Sequence, residues 1–163
     1  MLLLDVDGVL TDGRVIISDS GEETKAFDVR DGHGLKLLQR AGLEVGIITG
    51  RSSRVVAHRM SELGIDLVCQ GIKNKLEPFE EILDRFQLSP LQVAYVGDDV
   101  VDLPILRRVG FAATVADACP DLFNLVDFVS SRPGGRGAIR EICEMLLKAQ
   151  GRWDELTRRY FDD

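Results

Sequence analysis

A chain of 163 residues, 45% apolar and 29% charged, is of ordinary size for one domain and long enough for a genuine core. Its formal charge of -7 argues against nucleic acid and anionic membrane surfaces as partners, so an anionic substrate would have to be held by a metal and a few placed cations. Cys69, Cys119 and Cys143 are scattered without metal-type spacing and suggest buried thiols in a reducing compartment; with no signal peptide or spanning segment, the expectation is a cytoplasmic protein.

The apolar run Met1-Leu2-Leu3-Leu4 stops at Asp5-Val6-Asp7-Gly8-Val9-Leu10-Thr11-Asp12-Gly13. Such a run ended by turn residues reads as a strand buried on both faces of a parallel sheet. Asp5 and Asp7, two positions apart at its carboxyl end, point to the same side of an extended segment. Open α/β sheets place their ligands at that end. Two carboxylates there cost desolvation unless a cation compensates them, and a hard divalent ion such as Mg²⁺ suits oxygen donors. A calcium loop of the EF-hand type is disfavoured, because a strand precedes the motif and the third ligand position is missing.

Residues 14–18 and 23–29, either side of Asp19-Ser20-Gly21, read as a β-hairpin inserted between the first strand and the first helix. A lone hairpin is marginal in water and should pack against something, plausibly another subunit. Asp31-Gly32-His33-Gly34 then leads into a short helix over 35–41, ended by Gly42. Strands are expected at 43–48, 65–69, 93–96, 111–115 and 128–129. Helices are expected at 53–63, from 73 to 86, up to Val109, and from Ala138 to about Gln150. Residues 151–163 form a charged and aromatic tail. Strands alternating with helices predict a three-layer, Rossmann-like α/β fold, a parallel sheet with helices on both faces. It is read as a single domain over 1–163, with the hairpin insertion at 14–29.

Four features fall at the carboxyl ends of successive strands: Asp5/Asp7, Thr49-Gly50, Lys75 at a helix start, and Gly97-Asp98-Asp99…Asp102. Singly, each has a plain explanation: a turn, a helix cap, a surface lysine, an acidic helix start. Together, in this order, they are hard to explain as packing. They resemble the four motifs of the haloacid dehalogenase-like superfamily of phosphotransferases over nearly the whole chain. The resemblance implies Asp5 as a nucleophile that forms an aspartyl-phosphate, and Asp7 as the general acid and then base. It implies Mg²⁺ held by Asp5, the backbone carbonyl of Asp7 and Asp98, with Asp99 and Asp102 supporting. Thr49, Gly50 and Lys75 would bind the phosphoryl group and offset its charge.

Between Gly13 and Leu35 there is room for the hairpin alone, and between Gly50 and Lys75 for one helix and one strand, so no inserted cap domain is expected. Phe27-Asp28-Val29-Arg30-Asp31-Gly32-His33-Gly34, Ile48-Thr49-Gly50-Arg51, Gln70-Gly71-Ile72-Lys73-Asn74-Lys75 and Gly134-Gly135-Arg136-Gly137-Ala138-Ile139-Arg140-Glu141 are similar to the capless branch that acts on 3-deoxy-D-manno-octulosonate 8-phosphate in lipopolysaccharide precursor synthesis. That resemblance implies a homotetramer assembled through the hairpins and a tail that can reach an adjacent site. Arg51 is a candidate for the sugar-acid carboxylate, since a guanidinium pairs with it in bidentate fashion. His33 reads as a turn residue. Three alternatives stand beside this one: a phosphatase for a nine-carbon, sialic-acid-type 9-phosphate, a phosphatase of broad specificity, and a non-catalytic oligomerisation module of the kind attached to some sugar cytidylyltransferases.

Overall fold

The computed structural model describes residues 1–161. In chain order its elements are β1 (Leu2–Leu4), β2 (Ile16–Ile17), β3 (Glu23–Thr24), α1 (Val29–Arg40), β4 (Val45–Ile48), α2 (Arg54–Leu63), β5 (Leu67–Cys69), α3 (Leu76–Phe86), β6 (Ala94–Val96), α4 (Leu103–Leu106), β7 (Phe111–Thr114), β8 (Phe128–Val129), α5 (Ala138–Ala149) and α6 (Trp153–Thr157). Six strands make one sheet in the order β5-β4-β1-β6-β7-β8, every pairing parallel. β1 lies between β4 and β6, with Leu2 opposite Val45 on one side and Ala94 on the other. The chain runs outward from β1 in both directions, so the sheet reverses its winding there. In this architecture that switch point is where a ligand crevice opens.

Alternation along β1 builds the two outer layers. Leu2 and Leu4 face α1, α2 and α5 through Leu35, Leu38, Met60, Ile142 and Leu147. Leu3 faces the opposite layer, packing with Phe79, Ile82, Tyr95, Ile105 and Leu106 of α3, β6 and α4. All three leucines are fully buried, each contributing about 1.5–3 kcal/mol relative to exposure. The layered sheet agrees with the expected fold, and no cap domain stands among the described residues.

Several boundaries differ from expectation. α1 begins at Val29, six residues before the predicted start, because the Asp28 side chain caps it by accepting from the Arg30 N–H at 2.6 Å. His33 therefore sits on a helix, not in a turn. β2 and β3 pair over two residues each and stand apart from the main sheet. The tail folds back on its own chain: Trp153 and Leu156 pack against the α1-side core, and Arg40 donates to the Tyr160 hydroxyl at 2.9 Å. Asp162 and Asp163, the end of the predicted tail, lie outside the described residues.

Candidate active site

The loop after β1 is wound tightly around one carbonyl. The N–H groups of Val9, Leu10 and Thr11 all point at Val6 O, and Gly8 and Gly13 take positive φ. A Cβ on Gly134 would stand 1.8 Å from Gly8 O, and Gly135 N–H donates to Val9 O at 3.0 Å. The Gly134-Gly135 turn is thus the backing of the Asp5–Thr11 loop, a close approach of two backbones that a side chain would block.

Asp5 leaves β1 as its N–H bonds Val96 O at 2.9 Å, so the sheet ladder itself fixes the residue. Its Oδ1 accepts from Val6 N–H at 2.7 Å, and its Oδ2 lies 2.9 Å from Lys75 Nζ. Lys75 stands at the residue just before α3, after β5, and donates also to Asp102 Oδ1 at 2.7 Å. Asp102 is fully buried and receives three more donors: the Tyr95 hydroxyl at 2.6 Å and the N–H groups of Asp98 and Asp99 at 3.1 and 3.3 Å. It accordingly anchors both the lysine and the loop after β6. Asp99 caps the following turn through Val100 N–H at 2.7 Å and faces the cavity.

Carboxylate oxygens of Asp5, Asp98 and Asp102 all lie within 4.8 Å of one another. Burial first, then the charges of Asp5 and Asp102, pushes the Asp98 carboxyl up to about 7. Asp5 is also raised by burial, with Lys75 pulling the other way. Burial pulls the Lys75 ammonium down, but Asp102 and Asp5 outweigh it, and the net shift is upward. One lysine thus faces three carboxylates, leaving an excess of negative charge on hard oxygen donors. That donor set fits a divalent cation such as Mg²⁺.

A cavity of about 340 Å³ opens beside this cluster, lined by Asp5, Asp7, Thr49, Gly50, Arg51, Lys75 and Asp99 among others. Thr49 is buried at the end of β4, where its N–H and C=O are taken by Cys69 O and Ile72 N–H, and it lines the cavity. Arg51 is half exposed at the rim, donating to Glu23 Oε1 at 2.9 Å with its Nε 3.7 Å from Asp7 Oδ2. The structure thus brings Asp5, Asp7, Thr49, Gly50, Arg51, Lys75, Asp98, Asp99 and Asp102 to one rim of the sheet. Sequence reasoning missed Lys25, which pairs with Asp7, and Tyr95, which reads as an ordinary core residue of a strand.

A sequence model of the haloacid dehalogenase-like hydrolases matches residues 29–110. The 3-deoxy-D-manno-octulosonate 8-phosphate phosphatase KdsC of Escherichia coli (strain K12) is 48% identical over 155 residues, 95% of this chain and 82% of the relative. The crystal structure of the same-named phosphatase from Moraxella catarrhalis, in complex with magnesium, phosphate and KDO, superposes with a TM-score of 0.95 at 40% identity, covering 98% of this chain and 91% of that one. A cobalt-bound form of the Haemophilus influenzae phosphatase gives a TM-score of 0.90 at 41% identity over 93% and 89%. With Asp5, Thr49, Lys75 and Asp98 gathered at the switch point of the sheet and relatives this similar over most of their length, the chain belongs to the haloacid dehalogenase-like hydrolase family.

Proposed function

We propose that this chain hydrolyses 3-deoxy-D-manno-octulosonate 8-phosphate to the free sugar acid and phosphate, with Mg²⁺ and through an aspartyl-phosphate on Asp5. The observation that carries the reading is the Asp5–Lys75–Asp102 chain beside Asp98, at the edge of a cavity that also holds Asp7, Thr49 and Arg51. The names of the similar proteins supply the substrate.

In this reading an Asp5 oxygen attacks phosphorus, the bond from phosphorus to the ester oxygen breaks, and Asp7 passes its proton to that oxygen, so a neutral alcohol leaves. Asp7, now a carboxylate, takes a proton from water as the water oxygen attacks the phosphorus of the Asp5 acyl phosphate. Orthophosphate departs and the Asp5 carboxylate is restored. Thr49 hydroxyl and Gly50 N–H hold phosphoryl oxygens, and Lys75 offsets charge that spreads over them as the bonds exchange. Asp5 and Asp98, with the carbonyl of Asp7, would hold Mg²⁺, and Asp99 and Asp102 would orient those ligands. When bound, the ion supplies the positive charge that lets an anionic nucleophile meet an anionic phosphate. Arg51 would receive the sugar-acid carboxylate in bidentate fashion, exchanging its Glu23 partner for it.

We place the reaction in the assembly of lipopolysaccharide precursors, carried out by a homotetramer joined through the hairpins. A reducing, cytoplasmic setting is supported by three free cysteines. No helix among the described residues is long and apolar enough to cross a membrane.

The test is phosphate release, with and without Mg²⁺, from the eight-carbon ester and from a nine-carbon sugar-acid 9-phosphate. Asp5→Asn should abolish turnover and leave the fold intact; retained activity removes it as nucleophile. A preference beyond about tenfold for the nine-carbon ester would overturn the substrate assignment.

A further inference from the structure

Lys25 is a buried cation to which the scheme above gives no task. It follows β3 directly, and its side chain is wholly buried, with Nζ against Asp7 Oδ1 and 3.5 Å from Glu23 Oε1. Removing an ammonium from water is costly unless its charge is matched, and here two carboxylates match it. One of the two belongs to the cavity wall. Asp7 Oδ2 is left facing Arg51 Nε at 3.7 Å, on the open side of the site. The Asp7 carboxylate therefore has one oxygen tethered from the hairpin and the other turned to where an ester would sit.

We propose that Lys25 is a positioning residue for Asp7, making the hairpin part of the proton-delivery apparatus. The proposal rests on the reading of Asp7 as general acid. A carboxylate turns about its last torsion in a broad, two-fold well, so without a tether Oδ2 would spend much of its time misaimed. A misplacement on the order of 1 Å at a reacting group costs about 10²-fold in rate. The affected step is the first one: the Asp5 oxygen–phosphorus bond forms, the phosphorus–ester oxygen bond breaks, and the proton on Asp7 Oδ2 passes to the departing oxygen. A sugar alcohol needs that proton. A nitrophenolate leaves without it.

The experiment compares kcat/KM, which covers events through leaving-group departure, for 3-deoxy-D-manno-octulosonate 8-phosphate and p-nitrophenyl phosphate. Wild type, Lys25→Met, Lys25→Gln and Asp7→Asn are measured with saturating Mg²⁺. Lys25→Met should lose about 10²-fold on the sugar ester and less than about threefold on the aryl ester. A purely structural clamp predicts equal losses on both, and equal losses, or none, overturn the proposal. Lys25→Gln sheds the charge but keeps a donor, and the same ratio decides the matter if the methionine variant does not fold. Asp7→Asn is the reference. If it loses both esters equally, Asp7 is not the acid and the proposal falls with that reading; if it alone is selective, the role of Lys25 fails while that of Asp7 stands.

Discussion

A Cβ on Gly8 would stand 2.0 Å from Asp98 Oδ2, and one on Gly97 would stand 2.3 Å from Asp102 Cγ. Gly8 lets the Asp98 carboxylate lie directly against the backbone of a neighbouring loop, Gly97 does the same for Asp102 within one loop, and Gly8 also holds φ +86°. Gly8→Ala is therefore expected to displace Asp98 more than it unfolds the chain. The Mg²⁺ concentration for half-maximal phosphate release should rise by about 10- to 100-fold, the effect expected of groups that orient a metal ligand. The left-handed backbone should cost about 1–2 kcal/mol of stability. An unchanged Mg²⁺ titration would show that Asp98 does not hold the ion. The carboxylates themselves were legible in the sequence, because acidic residues at strand ends stand out against an apolar run. Lys25 and Tyr95 were not. A lysine in a hairpin and a tyrosine on a short strand have ordinary surface and core explanations, and only the fold shows that Lys25 meets Asp7 and that Tyr95 donates to Asp102.

Among the elements, α1 departs furthest from its expected bounds, and the reason is Gly32 and Gly34. Glycine inside a helix costs about 0.5–1 kcal/mol, so Asp31-Gly32-His33-Gly34 reads as a loop. In the fold these glycines give close approach instead: a Cβ on Gly34 would meet Arg140 Cα and Cys143 Cβ at 3.2 Å, where α1 packs on α5. Asp31 ties the two helix starts together by accepting from Gly137 and Arg140 N–H at 3.2 and 2.7 Å. No pattern in a single helix can announce a contact with a helix a hundred residues later. The same helix carries His33 beneath the tail, with its ring edge-on to Tyr160 at 6.2 Å and its Nδ1 3.0 Å from Arg140 Nη1. Burial, then Arg140, Arg40 and Arg159, holds the imidazole below its ordinary value of 6.5. The folded chain thus binds this proton less readily than the unfolded chain does. Stability should fall as pH drops below 6.5, and the loss should end once the folded imidazole is itself protonated. His33→Gln should lose that part of the pH dependence. The check is Tm against pH for both proteins, with hydrogen exchange of residues 153–160 as the local readout. Parallel Tm curves would mean His33 does not govern the tail.

At the scale of the whole molecule, the layered parallel sheet was readable because apolar runs alternate with helical periodicity. The length of the hairpin strands was not, because pairing there depends on contacts outside the local pattern. β2 and β3 share four paired residues in all, too few to hold a hairpin alone. Yet Val15, Ile16 and Ile17 are 47%, 52% and 60% exposed in a row, an apolar strip along the hairpin's first arm. The second arm carries Glu23 and Lys25 to Arg51 and Asp7. A second copy seated on the strip would therefore steady the wall of the cavity as well as bury apolar surface. Ile16→Glu combined with Ile17→Glu, which leaves every side chain lining the cavity in place, separates the two effects of assembly. Light scattering should show a smaller species than the wild type, because burying two carboxylates in an apolar contact costs several kcal/mol. The dissociated protein should retain the Asp5–Lys75–Asp102 chain, since that is held by the sheet, but lose kcat/KM on the sugar ester as the hairpin loosens. If the mass is unchanged, the strip is not the interface. If the mass falls with kcat/KM intact, the hairpin holds its place over Asp7 without a neighbour.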